Sequence, residues 1–533
     1  MRLPRPARAV PALTGTARRR ALTVALLALA VGGAAYAPAS AQAPSRSAPR
    51  GSPDADLDAY IAKGLRDWKI PGLSIAIVKN DAVVYAKGFG VRTLGDAAAV
   101  DAGTLFGMMS TTKAMTALAV AMLVDSGVVA WDDRVTKHLP WFALHDPYVT
   151  RELTVRDLLR HNAGLGNADL LWVRGDFTPR QILERVRHLP LAYSMRDGFV
   201  YQNVMYQVAG EVVAAASGMP WDRFVKTRIL DPLGMTRSQP TLAALRAAND
   251  PNVSSAHFEI DGTTRVISES PVDPVPAAGA AWSSADDAAK WLRFLLDSGR
   301  VGGRRLVSEN SFRELLKPQA FVPLGEFYPT ATLTRPHWMT YGLGWFQQDY
   351  QGKFVAMHTG SIDGRTAIIA ILPEERLGVY IFGNTDHAEF RHALMWRVID
   401  RYIGAPPRDW SAEFLTLYGD RKAKGEQARI AREAKRVTGT SPSLALAQYA
   451  GTYEHPVYGD LTLSFNDGAL GAAFGPAAEN RGRLEHWQYD TFRARLGDGR
   501  GGWTYFSFRL SAGGTVAAVR FDDQADLEFA RRQ

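Results

Sequence analysis

Residues Phe106-Gly107-Met108-Met109-Ser110-Thr111-Thr112-Lys113 open an apolar-periodic stretch, and its spacing predicts a helix over 110–126. On such a helix Ser110 and Lys113 stand three positions apart and share a face, so the lysine amine can reach the serine hydroxyl. A serine hydroxyl is a poor nucleophile until a neighbouring base takes its proton. Lysine supplies that base only when neutral, which requires burial or a nearby cation. The helix start also offers backbone N–H groups to developing negative charge. Taken alone, the pattern is read more simply as a serine N-cap with an exposed lysine.

Outward from this stretch the chain alternates strand and helix signals. Asp54–Lys69 carries apolar residues at helical spacing. Gly72–Lys79 and Ala82–Gly90 read as a hairpin around Asn80-Asp81. Helices are predicted over Thr154–His161, Pro179–Arg187 (capped by Thr178), Val204–Ser217 and Ala285–Ser298. A strand-rich block covers Gly342–Gly383, and a closing helix lies near His387–Ile403. Strands at both ends with helices between them predict an α+β fold: one sheet assembled from distant segments, with a helical lobe inserted. Residues 411–440 read as a charged helical connector. Its seven Lys/Arg against two Glu between Arg421 and Arg436 suit a solvated face better than a site for an acidic surface. From Gln448 onward, short aromatic and β-branched runs divided by Asn466-Asp467-Gly468 and Gly497-Asp498-Gly499 predict a small all-β, barrel-like domain.

The chain has 533 residues, 46% of them hydrophobic and 22% charged, which is ordinary globular composition. It holds no cysteine, so disulfides, thiol nucleophiles and thiolate metal sites are excluded. The formal charge is +8, but six arginines lie in the first 43 residues, where no acid occurs; without those six the balance is +2 and gives no reason to expect a nucleic-acid partner. The same arginines precede an apolar run from Ala21 to about Ala35 and a small-residue stretch ending Ala39-Ser40-Ala41-Gln42-Ala43. This reads as an export signal over 1–43, whose apolar run is shorter than the ~20 residues that a membrane span needs. A Pro/Ser-rich spacer follows over 44–53, then units over 54–405, 406–440 and 441–533. The expectation is a periplasmic or secreted protein with no membrane anchor after cleavage.

Two further elements give the opening stretch its meaning. Tyr201-Gln202-Asn203 is the sole Tyr-x-Asn of the chain and directly precedes a predicted helix; His358-Thr359-Gly360 closes a predicted strand. In this order the three elements resemble the serine β-lactamase and penicillin-binding-protein superfamily, and more closely its branch of class C β-lactamases, D-aminopeptidases, D,D-carboxypeptidases and related esterases. Leu153–Leu159 with His161–Leu165, Pro276–Gly279, Trp282–Asp287, Tyr341–Trp345 and Gly383-Asn384 are similar to other segments of that family, so the resemblance covers roughly residues 54–400. It implies a β-lactamase/transpeptidase-like fold in which Ser110 is acylated and Lys113 and Tyr201 move protons, Tyr201 as a phenolate. Which of the two is the base stays open. The resemblance further implies that Asn203, His358, Thr359 and Gly360 bind substrate, with Asn203 also orienting Lys113. It makes the backbone N–H groups of Ser110 and Ser361 the oxyanion hole. The terminal domain is similar to lipocalin-like modules appended to some members, and its aromatics Trp487, Tyr489, Phe492, Trp503, Tyr505, Phe506 and Phe508 read as core.

One departure shapes the functional expectation. Members that destroy β-lactams usually carry lysine where this chain has His358, and a neutral imidazole offers little Coulomb attraction to a substrate carboxylate. The resemblance therefore points to a hydrolase of amide bonds in short peptides, including D-residue peptides, without metal or cofactor. A carboxylesterase, a weak β-lactamase and an inactive penicillin-recognising or peptide-binding protein are the alternatives. No Gly-x-Ser-x-Gly, His-Glu-x-x-His or Gly-x-x-x-x-Gly-Lys occurs. Asp286-Asp287 reads as the acidic first turn of a helix rather than a metal pair. The partner expected is a small peptide or ester, and the β domain is expected to border the cleft or to support a homo-oligomer.

Overall fold

The computed structural model describes residues 53–270, 272–324, 328–386, 389–521 and 527–533. The expected export signal and the spacer through Ser52 lie outside the described residues. Helix α1 (Pro53–Asp67) leads into strands β1 (Gly72–Lys79) and β2 (Ala82–Gly90). Lys79 pairs Ala82 across a two-residue loop in which Asn80 and Asp81 both take positive φ, 52° and 67°. Asn and Asp tolerate that conformation, and it matches the twist of the flanking strands.

The sheet is completed some 230 residues later by β3 (Ala320–Phe321), β4 (Met339–Tyr341), β5 (Phe346–Tyr350), β6 (Lys353–Ile362), β7 (Arg365–Leu372) and β8 (Leu377–Gly383). All neighbours are antiparallel, in the order β2-β1-β8-β7-β6-β5-β4-β3. Successive side chains alternate between two covered faces. Leu73, Ile75, Ile77, Ile368, Ala370, Val379 and Ile381 pack with α1 and α5 (Phe390–Ile403). Ala76, Val78, Ile369, Ile371, Tyr380 and Phe382 join the core that holds α4 (Ala285–Leu296) and the helical lobe. Burial on both faces is why β7 from Ala367 to Leu372 and β8 are apolar.

The lobe is built on α2 (Lys113–Asp125) and α3 (Asn203–Ser217). Every residue of α2 from Lys113 through Ala121 is buried, so this helix crosses the lobe interior rather than lying on its surface. Ser284 caps α4 by accepting from the Asp287 N–H, and the buried Asp287 carboxylate accepts from the Arg237 and Ser238 backbone N–H groups. The Asp286-Asp287 pair is thus a helix start.

Helix α6 (Trp410–Ala434) runs to a closed eight-stranded barrel, β9 (Gly451–His455), β10 (Gly459–Asn466), β11 (Ala469–Phe474), β12 (Arg481–Gln488), β13 (Thr491–Arg495), β14 (Trp503–Leu510), β15 (Val516–Phe521) and β16 (Glu528–Arg531). Closure removes the sheet edges. Phe492, Phe506 and Phe508 fill the interior with Tyr453 and Phe529. Tyr489 departs from the expected core: it sits at the β12–β13 turn with positive φ and is exposed. The basic connector face is not simply solvated either. The guanidinium groups of Arg432 and Arg436 lie 3.4 and 4.7 Å from the ring centroids of Tyr505 and Trp487, fixing the helix to the barrel wall by cation–π contact.

Candidate active site

Ser110 stands on a 3₁₀ turn, Met109–Thr112, that feeds directly into α2. The expected helix therefore begins at Lys113, because Met109 takes the left-handed conformation with φ 49°. A bulky residue there is strained, and such strain persists only where the surroundings over-determine it. One such constraint is the packing of β6 against this turn. β5 pairs β6 only as far as Met357, so residues beyond it keep one flank for the nucleophile turn. A Cβ on Gly360 would lie 2.5 Å from the Met108 carbonyl oxygen and 2.9 Å from the Ser110 nitrogen. Gly360 serves here as a close-approach residue.

Lys113 is fully buried. Its Nζ lies 3.0 Å from Ser110 Oγ, 2.7 Å from Asn203 Oδ1 and 2.9 Å from the Ala278 carbonyl oxygen. Burial drives the amine well below the usual lysine range, against an opposing pull from the Asp169 carboxylate. A neutral amine has two N–H groups and one lone pair. Asn203 Oδ1 and the Ala278 carbonyl can only accept, so they take the two N–H groups and leave the lone pair facing the Ser110 hydroxyl.

Asn203, at the start of α3, owes its orientation to a residue that sequence reasoning missed. Its Nδ2 donates to Asp169 Oδ1 at 3.0 Å, and Trp172 Nε1 donates to the same oxygen at 2.9 Å. A carboxylate only accepts, which fixes the amide nitrogen toward Asp169 and the amide oxygen toward Lys113.

Lys113 Nζ sits 4.7 Å over the Tyr201 ring, and the nearby Ser110 side chain acts to lower the phenol's pKa. Burial nevertheless pushes this phenol well above its usual range. This direction runs against the phenolate expected for Tyr201, as does the burial that lowers the Lys113 amine whose charge would hold it. The His161–Leu165 segment positions Tyr201-Gln202-Asn203. His161 Nδ1 accepts from the Gln202 backbone N–H at 3.0 Å, and its ring packs 4.2 Å from the Tyr201 ring. The Pro276–Gly279 turn supplies the Ala278 carbonyl, and Ala277 O accepts from Thr116.

The third element divides. Ser361 lines the cavity beside Ser110, whereas His358 does not. The His358 ring is buried, with Nε2 2.9 Å from Tyr341 Oη and Nδ1 2.6 Å from the Thr359 carbonyl oxygen. Burial and the neighbouring lysine lower it to about 3. Both ring nitrogens are thus engaged inside the protein. Thr359 Oγ1 likewise meets Tyr328 Oη at 2.8 Å.

In front of Ser110 lies a cavity of about 440 Å³. Trp172, Val272 and Ile362 give it apolar walls, and the barrel closes it with Ala477 and Asn480 before β12 and with Leu496, Arg500 and Thr504 around the β13–β14 turn. Arg500 is nearly buried; it pairs with Asp498 at 2.7 Å and reaches across to Asp363 at 3.3 Å. Arg174 anchors the barrel from the other side by donating to the Tyr458 and Asp460 carbonyl oxygens at 2.9 and 2.7 Å. Among the described residues there is no group of three or more His, Asp or Glu fit to hold a metal ion, and no helix long and apolar enough to cross a membrane.

Comparison with known proteins matches residues 57–402 to the beta-lactamase family and residues 435–533 to a domain of unknown function, DUF3471. The chain is 28% identical over 452 residues to an unguisins hydrolase of Aspergillus violaceofuscus, covering 79% of this chain and 78% of that protein. It is 23% identical over 369 residues to the flp protein of Staphylococcus aureus, covering 68% and 69%. The octameric penicillin-binding protein homologue from Pyrococcus abyssi shares the fold with a TM-score of 0.59 at 22% identity, over 90% of this chain and all of that one.

Proposed function

The chain belongs to the beta-lactamase family, and from that premise we propose an exported serine hydrolase that cleaves amide bonds of short peptides, D-residue peptides included, through an acyl-Ser110 intermediate. The observation that carries this reading is the fully buried Lys113 Nζ, held by Asn203 Oδ1 and the Ala278 carbonyl oxygen at 3.0 Å from Ser110 Oγ. In the first step the amine accepts the Ser110 proton while Oγ bonds to the carbonyl carbon, and the oxyanion meets the N–H groups of Ser110 and Ser361. The Tyr201 phenol then gives its proton to the departing amine nitrogen as the C–N bond breaks, and Lys113 replaces that proton. Water hydrolyses the ester by the reverse relay. The end of β6 beyond its pairing with β5, at Ser361 and Ile362 beside Ser110, suits an extended peptide backbone, and the barrel-closed cavity suits short chains.

Intact-protein mass spectrometry after fluorophosphonate treatment tests the reading. One adduct is expected on the wild type and none on Ser110→Ala. No adduct on either would favour a binding module. Hydrolysis of p-nitrophenyl esters but of no peptide amide across a broad panel would instead make the protein a carboxylesterase.

The barrel's share in the site is open to a separate measurement. Arg500→Ala removes a wall group remote from the reacting atoms, so it takes away binding common to ground and transition states. The expected result is a KM raised about threefold to tenfold, the effect of a contact worth ~1 kcal/mol, with kcat within about twofold. An unchanged KM would remove the barrel from substrate binding.

A further inference from the structure

The second oxyanion donor proposed above is the N–H of Ser361, and it belongs to the same peptide unit as the Gly360 carbonyl. That carbonyl is held from behind. Arg391, in the first turn of α5, donates through Nη1 to the Gly360 carbonyl oxygen at 2.5 Å and to Ser361 Oγ at 2.7 Å. The same nitrogen reaches the carbonyl oxygen of Ala367, the β7 residue paired with Gly360. The guanidinium is buried, and Glu389 engages its other nitrogens at 3.1 and 3.2 Å while also accepting from His392 Nδ1 at 2.6 Å. Of this cluster only Ser361 lines the cavity; neither Arg391 nor Glu389 does.

The two ends of a trans peptide unit point in opposite directions. Fixing the Gly360 carbonyl toward β7 and α5 therefore aims the Ser361 N–H the other way, to the flank where the Ser110 nitrogen lies within 2.9 Å of an ideal Gly360 Cβ. Gly360 has no side chain to hold this plane by packing; its pairing with Ala367 of β7 holds one edge, and Arg391 adds a charged anchor on the carbonyl. A charged donor on the carbonyl also polarises the unit and strengthens its N–H as a donor. We propose that Arg391, held by Glu389, is a positioning residue that orients and polarises the Gly360–Ser361 peptide as the second arm of the oxyanion hole. The inference rests on the acyl-serine reading and deepens it.

The test compares the wild type with Arg391→Lys, which keeps a charge but loses the fork, and with the double variant Glu389→Gln/Arg391→Met, which leaves no buried charge unpaired. Three quantities are read: kcat and KM on p-nitrophenyl butyrate, the inhibition constant of phenylboronic acid, whose tetrahedral adduct places an oxygen in the oxyanion hole, and the melting temperature. Deleting one oxyanion donor costs about 10²–10³ in kcat. A donor that remains but is misaimed should cost the double variant about 10–100-fold in kcat, with a matching weakening of the boronate, KM within about threefold, and the lysine variant between. Retention of kcat and boronate affinity within twofold would overturn the inference. So would a loss of kcat that only follows the fraction folded, with boronate affinity of the folded protein unchanged. A wild type that takes neither fluorophosphonate nor boronate overturns the serine reading itself, a result distinct from both.

Discussion

Lys113→Met is expected to lower kcat/KM by about 10³-fold or more, within the range that a positioned acid–base group contributes, while far-ultraviolet circular dichroism stays that of the wild type. Methionine keeps the length of the side chain and suits the buried site, so the fold survives, although the Asn203 oxygen and the Ala278 carbonyl each lose a partner at about 1–3 kcal/mol. Lys113→Arg separates a base from a charge. A guanidinium stays protonated and cannot accept the Ser110 proton, so the arginine variant should be as impaired as the methionine one; substantial activity in it would mean that Lys113 acts only as a positive charge. The pH profile supplies the sign. Lys113 works deprotonated, so kcat/KM rises as pH climbs through its titration, and burial places that limb well below the ordinary lysine range. The Asp169 carboxylate favours the protonated amine, so Asp169→Asn should move the limb to lower pH. His358, lowered to about 3, adds no limb near neutrality.

What the chain discloses without coordinates follows the range of the interactions involved. The β1–β2 hairpin was legible to the residue because Asn80-Asp81 sets turn and register locally. In the barrel, β11 carries a weak strand signal because Ala469-Leu470-Gly471-Ala472-Ala473-Phe474 is poor in β-branched and aromatic residues, and it pairs on the strength of its neighbours alone. The Tyr489-Asp490 turn between β12 and β13 carries no glycine or proline to mark it in the sequence. The site divides in the same way. Ser110, Lys113, Tyr201 and Asn203 carry a pattern whose spacing can be recognised, and the structure gathers them around one amine. Asp169, Arg391 and Arg500 carry none: each acts on a partner 34, 31 or 137 positions away through a contact that the fold alone creates. His358 shows the converse, a recognisable position whose side chain the packing turns inward.

Gly360→Ala tests how tightly the nucleophile is held, and an expected fall of about 100-fold or more in kcat/KM makes it the second largest effect. The added methyl would lie 2.5 Å from the Met108 carbonyl oxygen, 2.7 Å from Met109 Cβ and 2.9 Å from the Ser110 nitrogen. None of these can swing aside as the tip of a long side chain could; two are backbone atoms and the third is fixed to a residue already at φ 49°. Relief must come from separating β6 from the nucleophile turn, which moves Ser110 and the Ser361 N–H apart, and a displacement near 1 Å at a reacting group is enough for a ~10²-fold loss. The same overpacking should cost about 1–3 kcal/mol of stability, read as a lower melting temperature. Gly404→Ala is the control: that glycine ends α5 with φ 73° and nothing within 4 Å of an added Cβ, so it should lower stability through backbone strain alone and leave kcat/KM within about twofold. Equal activity losses in the two variants would show that the close approach of β6 to Ser110 plays no part in catalysis.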